Sequence, residues 1–435
     1  MKIKSRISSL FKDGFFHIVG AGTINKIISL CSGIIIVRVM TQAEYGTYSH
    51  VMNTVNMLLI ANGLGTLTGV LQYGCENRDD KLLRNGIVHY GMKLGIFFNL
   101  LCGIFVVVYA SIVKQPIENS IILFSIAAFI PAATYISDGC ADVLRIGECN
   151  KEYGIYSIIN SFLTFVAILS GAILFSVKGA LTFRYIAILI MIVLALRCFP
   201  FVRETAFGKH CVLPLDIKRG FAKFSLLSCA NNSIARLFYN VDLYLIGVLI
   251  ADVNIIAAYK VAMTIPFALT FITNSIVIYI YPKFVAHRED RDWLKKNYLL
   301  LLGFLVLING IITLLFTMCS SWVIALIFGS QYVDQSIVPF RILMLGFFIS
   351  STFRIPAGSI LDMLHLVTPN LVISIISGLS NIVLDYLLII HWGANGAAIA
   401  TSTIYLLYAI LSNIIIALYI SGSNIFKKKR ISEVK

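Results

Sequence analysis

Five charged residues stand inside stretches that are otherwise apolar: Lys26, Arg236 and Arg354, and the carboxylates Asp242 and Asp385. At a bilayer centre each would cost about 2.5–3.5 kcal/mol on insertion scales, so such groups persist where they face water or a partner. Their surroundings repeat at helical spacing. Gly22, Lys26, Ser29 and Gly33 make one small, polar stripe, and Asn232, Arg236, Tyr239 and Asn240 make a second. Ser377, Asn381 and Asp385 recur at four-residue steps. A stripe of this kind does not face lipid, and three of them point to a shared aqueous cleft. Lys26, Arg236 and Arg354 would form a cationic patch for an anionic ligand, with guanidinium groups suited to bidentate phosphate contacts. The competing reading is that each closes an ion pair or bonds freed carbonyls within its own bundle. Asp242 and Asp385 suit a proton or Na⁺, because burial disfavours a bare anion. The rival role for them is fixed counter-ion to a nearby arginine. Tyr239 and Tyr259 are the aromatic residues best placed to touch a ligand, and Lys260 beside them either joins the ligand or reaches the headgroups. Lys93 and Arg197, near inner span ends, are read as snorkelling.

The elements that carry these residues follow from composition. Of 435 residues 58% are hydrophobic and 13% charged, with a mean hydropathy of +0.88. Soluble domains carry about 25% charged residues, so this chain lacks the charge to cover a water-facing surface. Its apolar runs have the length that crosses a hydrocarbon core. Twelve spans are expected, near residues 15–40, 46–72, 86–112, 119–139, 155–177 and 181–201, then 222–250, 255–281, 297–317, 337–361, 369–391 and 394–420. The fold class is an all-α polytopic membrane protein with two six-helix lobes, a parallel repeat around a central cleft. The lobes are expected at 1–205 and 222–421, with a cytoplasmic linker at 206–221 and a basic cytoplasmic tail at 422–435. A faint internal echo lays Ala43–Tyr48 on Asn254–Tyr259 and brings Lys26 within one residue of Arg236. Pro131, Pro266 and Pro356 fall inside spans and mark expected kinks.

Lysine and arginine set the orientation. About 24 basic residues fall on the side of the N-terminus and about five on the other (Arg38, Lys114, Lys178, Arg184 and Arg341), so both termini are expected to be cytoplasmic. The net charge of +14 then reflects this asymmetry and attraction to anionic headgroups, with no nucleic-acid partner required. The basic start Met1–Arg6 precedes a long apolar stretch that carries Lys26, and cleavage as a signal peptide is not expected. The nine cysteines form no C-x-x-C pair and the seven histidines no ligand spacing, so no metal site is expected. No phosphate loop, H-E-x-x-H or G-x-S-x-G occurs. Without an extramembrane catalytic domain, neither an ATP-driven pump nor an ordinary enzyme is read here.

The stretch Gly20–Tyr48, in which Arg38 ends the first span and Glu44-Tyr45-Gly46-Thr47-Tyr48 follows, resembles the opening signature of bacterial polysaccharide-unit flippases (O-antigen, Wzx type). Asn240-Val241-Asp242 with Ile246-Gly247, Phe328-Gly329-Ser330-Gln331-Tyr332, and Gly393–Thr401 resemble further elements of that family, although Leu243 stands where many members carry a base. The resemblance implies the multidrug/oligosaccharidyl-lipid/polysaccharide exporter fold and adds Arg38 to the substrate-binding set of Lys26, Arg236, Tyr239, Tyr259, Lys260 and Arg354. It implies a flippase, not an enzyme, that moves undecaprenyl-pyrophosphate-linked sugar units such as O-antigen or capsule units to the outer leaflet of the bacterial cytoplasmic membrane. Its partners would be membrane lipids and the polysaccharide polymerase and chain-length proteins. No cofactor would be needed, and the energy would come from an H⁺ or Na⁺ gradient through Asp242 or Asp385 or from consumption of the product outside. The alternatives are a multidrug or small-molecule antiporter of the same fold, disfavoured by the excess of basic groups, and a membrane-embedded glycan polymerase or ligase, which would need a large outer loop.

Overall fold

The computed structural model describes residues 15–421 except 114, 118 and 365, and without the side chains of 15–19, 231, 232, 234–239, 282 and 367. The chain divides into two lobes between Asn240 and Val241. The first holds α1 (Phe15–Val39), α2 (Gln42–Leu58), α3 (Thr66–Glu76), α4 (Lys81–Ile112), α5 (Ser120–Ala127), α6 (Ile130–Ile146), α7 (Asn150–Cys198) and α8 (Pro200–Phe207). Helix α9 (Leu215–Leu249) runs through the division. The second lobe continues with α10 (Val253–Ala286), α11 (Arg291–Met318), α12 (Ser320–Ile327), α13 (Val333–Ile349), α14 (Ile355–Met363) and α15 (Val367–Ile420). Residues 206–221, read as a linker, are shared between the end of α8, a short non-helical stretch and the first turns of α9.

Helix α7 has 49 residues, about 74 Å at 1.5 Å per residue, more than twice the roughly 30 Å core it must cross. It therefore reverses, at Phe175 and at Ser176 (φ 55°, ψ −140°). Helix α15, with 54 residues, reverses in the same way at Gly393 (φ 58°, ψ −137°). With the bent pair α2–α3 as one, nine helices or joined pairs among the described residues are long and apolar enough to cross a membrane; the halves of α7 and α15 raise this to eleven, and α9, 35 residues long, makes the twelfth.

The sequence echo has a structural counterpart in how helices begin. Thr41 caps α2 with a capping box to Glu44, and Asp252, 211 positions on (252 − 41), caps α10. Asp80 caps α4 and Asp290, 210 positions on (290 − 80), caps α11. Side-chain acceptors at these positions satisfy the first free N–H groups of each helix. Glu44 of the signature also accepts a hydrogen bond from the Ser176 hydroxyl. The E-Y-G-x-Y element thus ties the turn after α1 to the reversal of α7.

Span two is not straight. Its halves α2 and α3 meet at 45°, where Gly63 (φ 58°) and Gly65 (φ 69°) take left-handed backbone that glycine adopts without strain. Within a bilayer the freed backbone groups need partners. Asn99, fully buried on α4, accepts from the Gly63 N–H at 2.8 Å and donates to Asn62 Oδ1 at 2.7 Å. Asn99→Leu is expected to leave the Gly63 N–H unsatisfied and cost about 1–3 kcal/mol, read as a lower melting temperature in detergent. Of the three prolines, Pro131 follows the break between α5 and α6 and Pro356 follows a π-helical turn at Ser350–Arg354, while Pro266 lies within continuous α10.

Each lobe has its own apolar core. In the first, Val51, Phe124 and Leu181 pack in one cluster and Ile87, Met191 and Phe221 in another. In the second, Leu294, Leu305, Leu361 and Ile416 meet. Outward, Leu300, Leu307 and Leu314 of α11 stand 68, 63 and 61% exposed at seven-residue steps. A stripe of that size marks a membrane-facing surface.

Candidate functional site: a buried carboxylate pair

The reversal at Gly393 sets the depth of the second lobe's polar cluster. Asp385 lies eight residues before it and Thr401 eight residues after it, so both sit about 12 Å below the turn on adjacent halves of α15. Asp242 on α9 faces them. Its Oδ2 accepts hydrogen bonds from the Thr401 hydroxyl at 2.5 Å and from the Tyr259 hydroxyl, on α10, at 2.7 Å. One turn from Asp385, Asn381 donates to its Oδ2 at 2.6 Å. The two carboxyl groups are close enough for each to act on the charge of the other. Asp242 is 2% and Asp385 0% exposed, and the Oδ1 of each has no hydrogen-bond partner.

Two like charges at this range, out of water, do not both remain as bare anions. A proton or a single cation shared by the pair resolves the conflict. The polar groups supply oxygen ligands from two carboxylates, an amide and two hydroxyls, the hard ligands that suit Na⁺ rather than a transition metal. Among the described residues no group of three or more His, Cys, Asp and Glu could hold a metal ion.

Tyr259, expected to touch substrate, is fully buried and spends its hydroxyl on Asp242. It belongs with the carboxylates because α10 packs that face inward. Thr401 and Asn381 were not among the expected site residues. Asn381 shares the Ser377–Asp385 stripe, and Thr401 ends the Gly393–Thr401 motif, but only the reversal of α15 shows that the two face one carboxylate pair.

Arg354 sits apart from that cluster, at the end of the π-helical turn. Its Nε donates to Ser350 Oγ at 2.8 Å, and its guanidinium lies 4.6 Å and 5.7 Å from the ring centroids of Tyr405 and Tyr408. The turn is braced from outside it: Asn413 donates to the Phe353 carbonyl at 3.3 Å, and Asn309 to Thr352 Oγ1 at 3.2 Å. Lys260 is partly buried on α10. In the first lobe Lys26 and Arg38 are both exposed on α1. The side chains of Arg236 and Tyr239 lie outside the described residues. Ion pairs among the described residues are Arg78–Glu148, Lys81–Glu204 and Arg145–Asp142. All three involve cations that the sequence placed in inner loops, and none involves Arg354. At Glu204 the Lys81 ammonium, 3.0 Å away, holds the carboxyl below its usual range.

Among the described residues, twelve spans in two lobes with buried ionisable groups inside the helices define a polytopic α-helical membrane protein. The chain belongs to the family described as polysaccharide biosynthesis protein, whose profile matches residues 35–337. Its fold is similar to those of several solved membrane proteins. A structure of the lipid II flippase MurJ, inward closed, superposes with a TM-score of 0.71 at 13% identity, covering 92% of this chain and 87% of that one. An inward-facing multidrug resistance MATE family transporter of the MOP superfamily gives 0.65 at 14% identity, covering 92% and 95%. A MOP superfamily transporter from Pyrococcus furiosus, described by the reverse polarity of its binding pocket, gives 0.56 at 13% identity, covering 95% of each. None of the curated proteins compared with the chain matches it.

Proposed function

We propose that this chain is a flippase that moves undecaprenyl-pyrophosphate-linked oligosaccharide units, of O-antigen or capsule type, from the inner to the outer leaflet of the bacterial cytoplasmic membrane. The observation that carries the reading is membership of a polysaccharide-biosynthesis family on a transporter fold. The chemistry of the load agrees with it. A pyrophosphate does not cross hydrocarbon bare, and Lys26, Arg38, Arg236, Lys260 and Arg354 offer cations along the spans. Arg354 faces no carboxylate within 4 Å among the described residues, and its stacking on Tyr405 and Tyr408 holds the guanidinium ready for an anion.

Transport proceeds by alternating access, opening first to the cytoplasm and then to the outside, with the polymerase and chain-length proteins taking up the product. Both termini are cytoplasmic. The Asp242–Asp385 pair couples the cycle to an ion gradient. A cation arriving between the carboxylates removes their repulsion and draws α9 and both halves of α15 together, and its departure lets them part. Na⁺ suits the oxygen ligands, and a proton would relieve the same repulsion.

The test is deletion of the gene followed by complementation. Deletion is expected to strand lipid-linked units on the cytoplasmic leaflet, and the wild-type gene to restore surface polysaccharide. Arg354→Ala, Arg236→Ala and Lys26→Ala are each expected to reduce surface polysaccharide at least tenfold at equal protein level in the membrane. A deletion strain with normal surface polysaccharide overturns the reading.

A further inference from the structure

We infer that the first lobe carries a sugar-recognition pocket, at the place where the second lobe carries its carboxylate pair. The inference rests on the flippase reading above and names the part of the load that this lobe would read. The two reversals, Ser176 and Gly393, are 217 positions apart (393 − 176). The same offset carries Ser377, Asn381, Asp385 and Thr401 onto Asn160, Thr164, Ile168 and Arg184. All four of the latter line one cavity of about 370 Å³, bounded by α1, α6 and both halves of α7. An isoleucine in place of Asp385 and an arginine in place of Thr401 remove what would hold a cation. The fold has kept the position and changed its chemistry.

The new chemistry is that of a neutral, polyhydroxyl ligand. Asn160 offers a donor and an acceptor, Ser29 and Thr164 hydroxyls that do either, and Arg184 donors, with the Asp138 carboxylate in the same lining. One carboxylate and one guanidinium sum to no net charge, which favours neither a pyrophosphate nor a cationic drug. The side chain of Phe165 supplies an apolar face for the C–H face of a sugar ring. The Arg184 Nε is buried without a hydrogen-bond partner, while its Nη1 rests 3.4 Å from Met52 Sδ. A buried donor left open in this way is costly unless a ligand uses it. At about 370 Å³ the cavity lies at the small end of the roughly 300–1,000 Å³ of ligand sites, so it takes a single sugar rather than a whole unit. The larger cavity of the same lobe, about 880 Å³ along α4, is walled by groups such as Phe97, Leu100 and Val143 and offers a sugar little to bond.

The test compares two probes on purified protein in nanodiscs: undecaprenyl pyrophosphate without sugar, and lipid-linked units extracted from the host strain. Wild type is expected to bind the linked units about tenfold more tightly, the contribution of one or two well-made hydrogen bonds. Asn160→Leu is expected to erase that preference and leave affinity for the bare carrier within twofold. Thr164→Val, which keeps the side-chain shape and removes only the hydroxyl, is expected to reduce it severalfold. Both variants are first required to run as monodisperse protein with wild-type melting temperature. A wild type that binds both probes equally overturns the pocket and leaves the flippase reading standing. Variants that both keep the tenfold preference overturn it as well. A wild type that binds neither probe overturns the flippase reading and the pocket together.

Discussion

Asp385→Asn is expected to abolish export while leaving the protein folded in the membrane. Asparagine has nearly the shape of aspartate and can donate to the Asp242 carboxylate, so the cluster of Asp242, Thr401 and Tyr259 keeps its packing and loses the charge conflict that calls for a cation. The measurement that separates this from simple damage is thermal stability of purified protein in Na⁺ against choline. In wild type, Na⁺ at about 100 times its dissociation constant would add about 2.7 kcal/mol to the folded state and raise the melting temperature by a few degrees. Asp385→Asn should melt no lower than wild type and show no response to Na⁺. If the coupling ion is a proton, wild type shows no Na⁺ response, a protonophore stops its export, and the variant is equally inactive. Full export by Asp385→Asn would remove the carboxylate pair from the mechanism.

Gly171→Leu and Gly396→Leu should each prevent accumulation of folded protein. The two halves of α7 approach so closely that a Cβ on Gly171 would run into the carbonyl of Gly179, and one on Gly396 into that of Leu388 across the α15 reversal. The obstacle in each case is backbone, which cannot rotate away as a side-chain tip does. The expected loss exceeds about 4 kcal/mol, the range in which single substitutions unfold a protein. Gly303→Leu on α11, where a Cβ meets nothing within 4 Å, is the matched control and should express and fractionate as wild type. Membrane-fraction yield and size-exclusion profile read both effects. Normal yield of Gly171→Leu would mean that the hairpin is looser than its glycine contacts imply.

The class of the protein was legible from composition and run length. A chain with 13% charged residues and apolar runs of membrane-spanning length has one solvent for its outer surface, and backbone hydrogen bonding in that solvent leaves helices as the way to satisfy it. The expected spans near 369–391 and 394–420 lie on either side of Gly393, where the structure places the reversal. The Glu44-Tyr45-Gly46-Thr47-Tyr48 element was legible as a signature but not as a clasp, because its partner Ser176 is 132 residues away. The bend in span two was missed for a related reason. Its signal is Asn62-Gly63-Leu64-Gly65 without a proline, and the residue that makes the break tolerable, Asn99, lies on another helix.

Periodicity along a single helix singled out Asp242 and Asp385, since a carboxylate in an apolar run is conspicuous wherever it points. It did not reveal that the two face one another, that Tyr259 and Thr401 complete their surroundings, or that Arg184, counted among the outer cations, lines a polar cavity with Asn160 and Thr164. The physical reason is that the sequence by itself determines which groups must avoid lipid, because that cost belongs to each residue alone. Which avoided groups meet depends on how the two halves of a long helix pack once it has reversed at Ser176 or Gly393, and that register became visible only in the tertiary structure.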